Sequence, residues 1–201
     1  MTPKQFVDYA KDKVEQAGVK LILADREYLY IDNVNVNGYF SEEDMQLVCA
    51  TGRPLKLWFP IFVHEFCHFE QMQDDCRAWK QSRINGVDPS DQFFNWIVNG
   101  KYPFLRMKEI AKRLRICETD CERRSVKNIK KFKLPLDSKE YCQRANAYIY
   151  FYNYALLKRR WWRRGHAPYD QKGLYSRFPT DLNQRYDKLS KKYVELYDEF
   201  C

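Results

Sequence analysis

Apolar positions along the chain change period twice, and each change marks a different kind of element. Phe6, Ala10 and Val14 recur at helical spacing behind Thr2-Pro3, a capping residue followed by proline at the first helical position, and Gly18 stops the run. An amphipathic first helix is predicted. VKLILA (19–24) and YLYI (28–31), joined through Asp25-Arg26-Glu27, then predict a strand pair, and VNVNGYF (34–40) and MQLVCA (45–50) predict further strands. Residues 1–53 are therefore expected to form a helix and a small mixed or antiparallel sheet.

The helical period returns after that. Pro60 suits the first turn of a helix through IFVHEFCHFEQMQ, and the polar stretch that follows is broken by Gly86, Pro89, Gly100 and Pro103. Met107, Ile110, Leu114, Cys117, Cys121, Ser125, Ile129 and Phe132 form one long stripe, ended by Pro135. Asp137-Ser138-Lys139-Glu140 has the form of a capping box, and Tyr141, Ala145, Tyr148, Tyr152 and Leu156 make the next stripe, running towards Gly165. HAPYDQKGLYSRFP is expected to be loop. Thr180 is expected to cap a last helix with the stripe Leu182, Tyr186, Leu189, Tyr193, Leu196 and Phe200. The predicted fold class is α+β in a single domain: helix and sheet over 1–53, metal-site helices over 54–134, and further helices over 135–201.

Composition adds limits. With 201 residues and 45% hydrophobic content the chain can bury one sizeable core. It shows no secretory leader pattern and no apolar run near the ~20 residues of a membrane span, so a cytoplasmic protein without a membrane partner is expected. The 7 cysteines are dispersed and include no C-x-x-C pair, which reads as reduced thiols. The net charge of +8 is uneven, because RRSVKNIKKFK (123–133) and KRRWWRR (158–164) hold no acidic residue. Such tracts suit a nucleic acid or an acidic protein partner, and equally suit solvated helix faces.

The candidate chemistry lies in VHEFCHFEQ (63–71), which holds two of the 3 histidines. Residues four apart share a helix face, so His64 and His68 can offer two imidazole nitrogens to one ion, with Glu65 beside them to take a proton from water. Cys67, between them, is read as packing. Catalytic zinc wants three protein ligands and an open position. The remaining histidine is His166, but CETDCERR (117–124) places Glu118 and Glu122 on the flank of an apolar stripe, with Asp120, Arg123, Lys127 and Lys130 turned away. A carboxylate there needs a partner, either an arginine at the helix edge or a metal.

H-E-x-x-H followed about fifty residues later by E-x-x-A-[DE] resembles the gluzincin arrangement of zinc metallopeptidases, and Glu118-Thr119-Asp120-Cys121-Glu122 matches it with cysteine in the small position. Together with RANAYIYFY, these motifs also resemble uncharacterised metallopeptidases of phages and bacteria. The resemblance implies a zincin-like fold and a zinc-dependent peptidase acting on peptide or protein substrates, within the host cytoplasm if phage-encoded. It also implies Glu118 as third zinc ligand, Glu122 as the acceptor orienting His64 or His68, and Glu65 as general base. Glu122 stands where aspartate is more usual, and its longer arm leaves open whether it reaches a histidine or the metal. Candidate donors to the oxyanion are His166 and Tyr148. The rival expectation is a basic, aromatic-rich binding module whose zinc is structural or absent.

Overall fold

Thr2 accepts the Gln5 N–H on its hydroxyl while the Gln5 side chain accepts the Thr2 N–H, so α1 (Pro3–Gln16) starts on a closed capping box with proline in its first turn. The computed structural model describes residues 1–31 and 34–201. Within it the chain divides into two compact units, Met1–Cys76 with Arg123–Ser138 and Arg77–Glu122 with Lys139–Cys201.

In the first unit, the buried face of α1 is the expected Phe6, Ala10 and Val14. The strands are β1 (Lys20–Ala24), β2 (Leu29–Ile31), β3 (Val34–Val36), β4 (Gly38–Ser41) and β5 (Gln46–Ala50). β5 lies between β1, which runs parallel to it, and β4, which runs antiparallel, while β2 and β3 form a separate antiparallel pair. The sheet is therefore mixed. Two expectations need correcting: 19–24 does not pair with 28–31, and 34–40 is two strands rather than one. Alternation identifies a strand but not its partner. Here the Ala24 carbonyl accepts the N–H groups of Arg26 and Thr51, at 2.7 Å each, and so draws the end of β1 towards the chain that leaves β5. Asn37 separates β3 from β4; its carbonyl accepts the Ala50 N–H at 2.9 Å and its side-chain oxygen accepts from Arg53 at 3.2 Å.

α2 (Leu55–Gln73) starts one turn earlier than expected, so Pro60 lies inside the helix rather than in its first turn. The Pro54 carbonyl anchors that extra turn by accepting from Leu57 and Trp58. Phe59, Phe62 and Phe66 of α2 meet Phe6 edge-on, with centroids 6.1, 6.3 and 5.7 Å apart. An adjacent flank of α2 is held by the far end of α5 (Phe104–Lys131). Asn128 donates to Glu70 at 2.8 Å and to the Cys67 sulfur at 3.4 Å, and Arg124 pairs with Asp74 at 2.5 Å. Cys67 is thus a packing residue, as expected.

In the second unit, α3 (Arg77–Ser82) and α4 (Ser90–Asn99) occupy the stretch that glycine and proline punctuate, and Gly100, at φ 67°, ends α4 in the left-handed conformation. The stripe of α5 is buried as predicted from Met107 to Cys121. α6 (Ser138–Lys158) ends seven residues before Gly165, because Arg159 adopts φ 48° and lays its guanidinium over Gly100, where no side chain intervenes. Beyond Lys158, KRRWWRR is consequently irregular chain rather than a helix face. Trp161 and Trp162 pack on Phe151, at 5.2 and 4.9 Å between centroids, and Lys158 and Arg160 pair with Asp198.

The expected loop after Gly165 contains the short α7 (Lys172–Tyr175), and the expected long last helix is only α8 (Lys191–Phe200), capped by Ser190 rather than Thr180. Side chains of α6 claim the backbone that would have closed the missing turns. Asn146 donates to the carbonyls of Pro179 and Asp181 at 2.9 and 2.8 Å and accepts from Tyr186 at 2.6 Å. Asn153 donates to the Tyr186 carbonyl at 2.8 Å, and Tyr150 to that of Arg185 at 3.1 Å. Those bonds replace a helix ladder with tertiary contacts, which a local pattern cannot reveal. Among the described residues no helix is long and apolar enough to cross a membrane.

Candidate metal centre

In the first unit, His64, Glu65 and His68 sit in the middle turns of α2. The two imidazoles stand nearly perpendicular, with centroids 4.7 Å apart and an interplanar angle of 88°, and their Nε2 atoms approach to 3.1 Å. Nitrogens bound to one tetrahedral zinc at about 2.0–2.1 Å lie roughly 3.3–3.4 Å from each other, so this pair needs almost no movement to share an ion. The residues fit the group. Gln71, a residue that the motif does not include, is fully buried and its Oε1 lies 2.8 Å from His68 Nδ1. Its signal in the sequence was position alone: three residues past His68, it lies on the same helix face.

Glu65 points to another neighbour. It is 7% exposed and lies beneath β4, where a Cβ added to Gly38 would come within 2.9 Å of Glu65 Cγ, 3.0 Å of Ile61 Cγ2 and 3.1 Å of the Val48 carbonyl oxygen. Glycine is therefore what lets the edge strand approach the general-base candidate. The Cys49 thiol, opposite Gly38 in the β4–β5 register, is pushed up by burial and further by the charge of Glu65. Gly38→Ala is expected to destabilise the protein by about 1–3 kcal/mol through overpacking, measured by urea unfolding. Stability within a few tenths of wild type would show that β4 has more freedom than this geometry implies.

In the second unit, Glu118 and Glu122 are buried on α5, at 8% and 4% exposure. Both carboxylates accept from phenols of α6. Tyr152 donates to Glu118 Oε1 at 3.2 Å, Tyr148 reaches the same oxygen at 3.5 Å, and the two phenols lie 2.9 Å apart. Tyr141 donates to Glu122 Oε2 at 2.7 Å. Burial, reinforced by the negative charge of Glu118, holds the Tyr148 phenol well above the usual tyrosine range, so it stays a neutral donor. The sequence contained this seam only as the apolar stripe Tyr141, Tyr148 and Tyr152, whose hydroxyl ends become informative once α6 is known to face the two carboxylates.

His166 lies in the irregular chain after α6, half-buried, with Nδ1 3.0 Å from the Phe200 carbonyl. That bond ties it to the end of α8. Arg115, one turn before Glu118 on α5, is also buried, which lowers the pKa of its guanidinium to about 10. Comparisons with protein-family models, with curated proteins and with solved structures find no match to this chain.

Proposed function

We propose that the protein is a zinc-dependent hydrolase of peptide bonds, in which His64 and His68 are two of three protein ligands and Glu65 is the general base. One observation carries the reading: two Nε2 atoms 3.1 Å apart, one of them on an imidazole whose other nitrogen is held by a buried acceptor. When bound, the cation makes water more acidic and polarises the scissile carbonyl. Glu65 takes the proton from the attacking water and returns it to the leaving amine. Tyr148, kept neutral, donates to the developing oxyanion, and His166 is the alternative donor.

The third ligand comes from one turn of α5. The family resemblance assigns it to Glu118, with Glu122 orienting a histidine. Cys121, on the same turn of α5, is the competing donor, since a thiolate is a common zinc ligand. Cobalt(II) substitution separates the two, because a thiolate ligand adds strong near-ultraviolet charge-transfer absorption and a carboxylate does not. If Glu118 is the ligand, Glu118→Ala empties the site, Glu122→Ala weakens it by about 10–100-fold, and Cys121→Ser leaves cobalt binding unchanged. A charge-transfer band abolished by Cys121→Ser assigns the position to cysteine. Failure of the wild-type protein to bind either metal sinks the whole reading.

The binding-module alternative draws on Arg123, Lys127 and Lys130, an exposed row on α5. Its mark is a salt-sensitive complex with DNA or RNA that chelator does not disturb.

A further inference from the structure

We infer that Gln71 is a positioning residue that fixes the tautomer of His68, holding the proton on Nδ1 so that the Nε2 lone pair faces His64. The amide oxygen of Gln71 can only accept, and it lies 2.8 Å from His68 Nδ1. A neutral imidazole carries one ring proton, so a proton held on Nδ1 leaves Nε2 bare. That bare nitrogen is the atom 3.1 Å from His64 Nε2. Gln71 is 0% exposed, so water cannot readily replace the amide, and the two residues are three apart on one helix, which makes the constraint local to α2. Neither nitrogen of His68 is then left to chance: one is occupied and the other presented.

The acceptor is an amide and not a carboxylate. It therefore orients the ring without adding a further carboxylate to a helix that already carries Glu65 and Glu70. The value of this tautomer to function rests on the metal reading given above, but the tautomer itself does not. The two can fail separately.

The test begins with metal-stripped protein near pH 8. Long-range proton–nitrogen correlation spectra should show His68 as the Nδ1–H tautomer in wild type. In Gln71→Met, which keeps the bulk but removes the acceptor, the Nε2–H form should appear. Gln71→Glu keeps an acceptor and should retain the wild-type tautomer, whereas it would lose it if the amide nitrogen were the group facing the ring. Zinc affinity by chelator competition should fall about 10–100-fold in Gln71→Met and return to within about threefold of wild type in Gln71→Glu. Circular dichroism confirms that each variant is folded. Wild-type His68 found as Nε2–H overturns the inference, and so does a Gln71→Met protein with unchanged tautomer and unchanged zinc affinity. A wild-type protein that binds no zinc, yet shows an Nδ1–H tautomer that Gln71→Met abolishes, upholds the inference and overturns the metal reading.

Discussion

Glu65→Gln should leave the protein folded and its zinc content unchanged while hydrolysis falls by about 10²–10⁴, the usual effect of removing a general base. The substitution preserves length and hydrogen-bonding capacity, which matters because the side chain is 7% exposed and wedged beneath Gly38. A shorter replacement would open space under β4 and confuse a chemical defect with a packing one. The measurement is cleavage of a broad peptide library by wild type and variant at equal zinc occupancy, read by mass spectrometry. Products formed equally by both proteins would show that Glu65 transfers no proton. Full zinc with no cleavage by wild type would remove the enzyme assignment and turn attention to the exposed cations of α5.

The second large effect is on the metal itself. His64→Ala removes one of two facing nitrogens and leaves His68 with a single one, so tight zinc binding should be lost, from about one ion per chain to none after dialysis. Stability provides an independent readout. Zinc at about a hundred times its dissociation constant should stabilise the wild-type protein by about 2.7 kcal/mol, a contribution that disappears on adding chelator and is absent from the variant throughout. If the variant retains both the ion and the thermal shift, the metal is bound elsewhere. His64 lies on the half-buried side of α2, and its replacement leaves the aromatic packing of Phe59, Phe62 and Phe66 on Phe6 in place. Loss of metal can then be separated from loss of fold.

How far the sequence reaches depends on whether the cause of a feature is local. α1, α5 and the start of α6 were legible because capping residues, proline and a 3.6-residue stripe act within the segment itself. The face shared by His64 and His68 was legible for the same reason, and so was the buried flank carrying Glu118 and Glu122. The end of α6 was not, since its irregular tail follows from Arg159 lying over Gly100, a residue 59 positions away in the chain. The last helix was overestimated because Asn146, Tyr150 and Asn153 take up the backbone groups of the segment from 179 to 186.

By itself, then, the sequence determined which side chains share a helix face and which of them can do chemistry, because helical geometry is a property of neighbours. It determined the pairing of Glu65 with two imidazoles and the burial of two carboxylates on α5. Only the tertiary structure decided what each of these groups touches. It set β5 between a parallel and an antiparallel neighbour, brought Gly38 over Glu65, and turned the phenols of Tyr141, Tyr148 and Tyr152 onto Glu118 and Glu122. Partner choice between distant segments depends on complementary shape and on satisfying every buried polar group at once. Those conditions hold only in the folded chain.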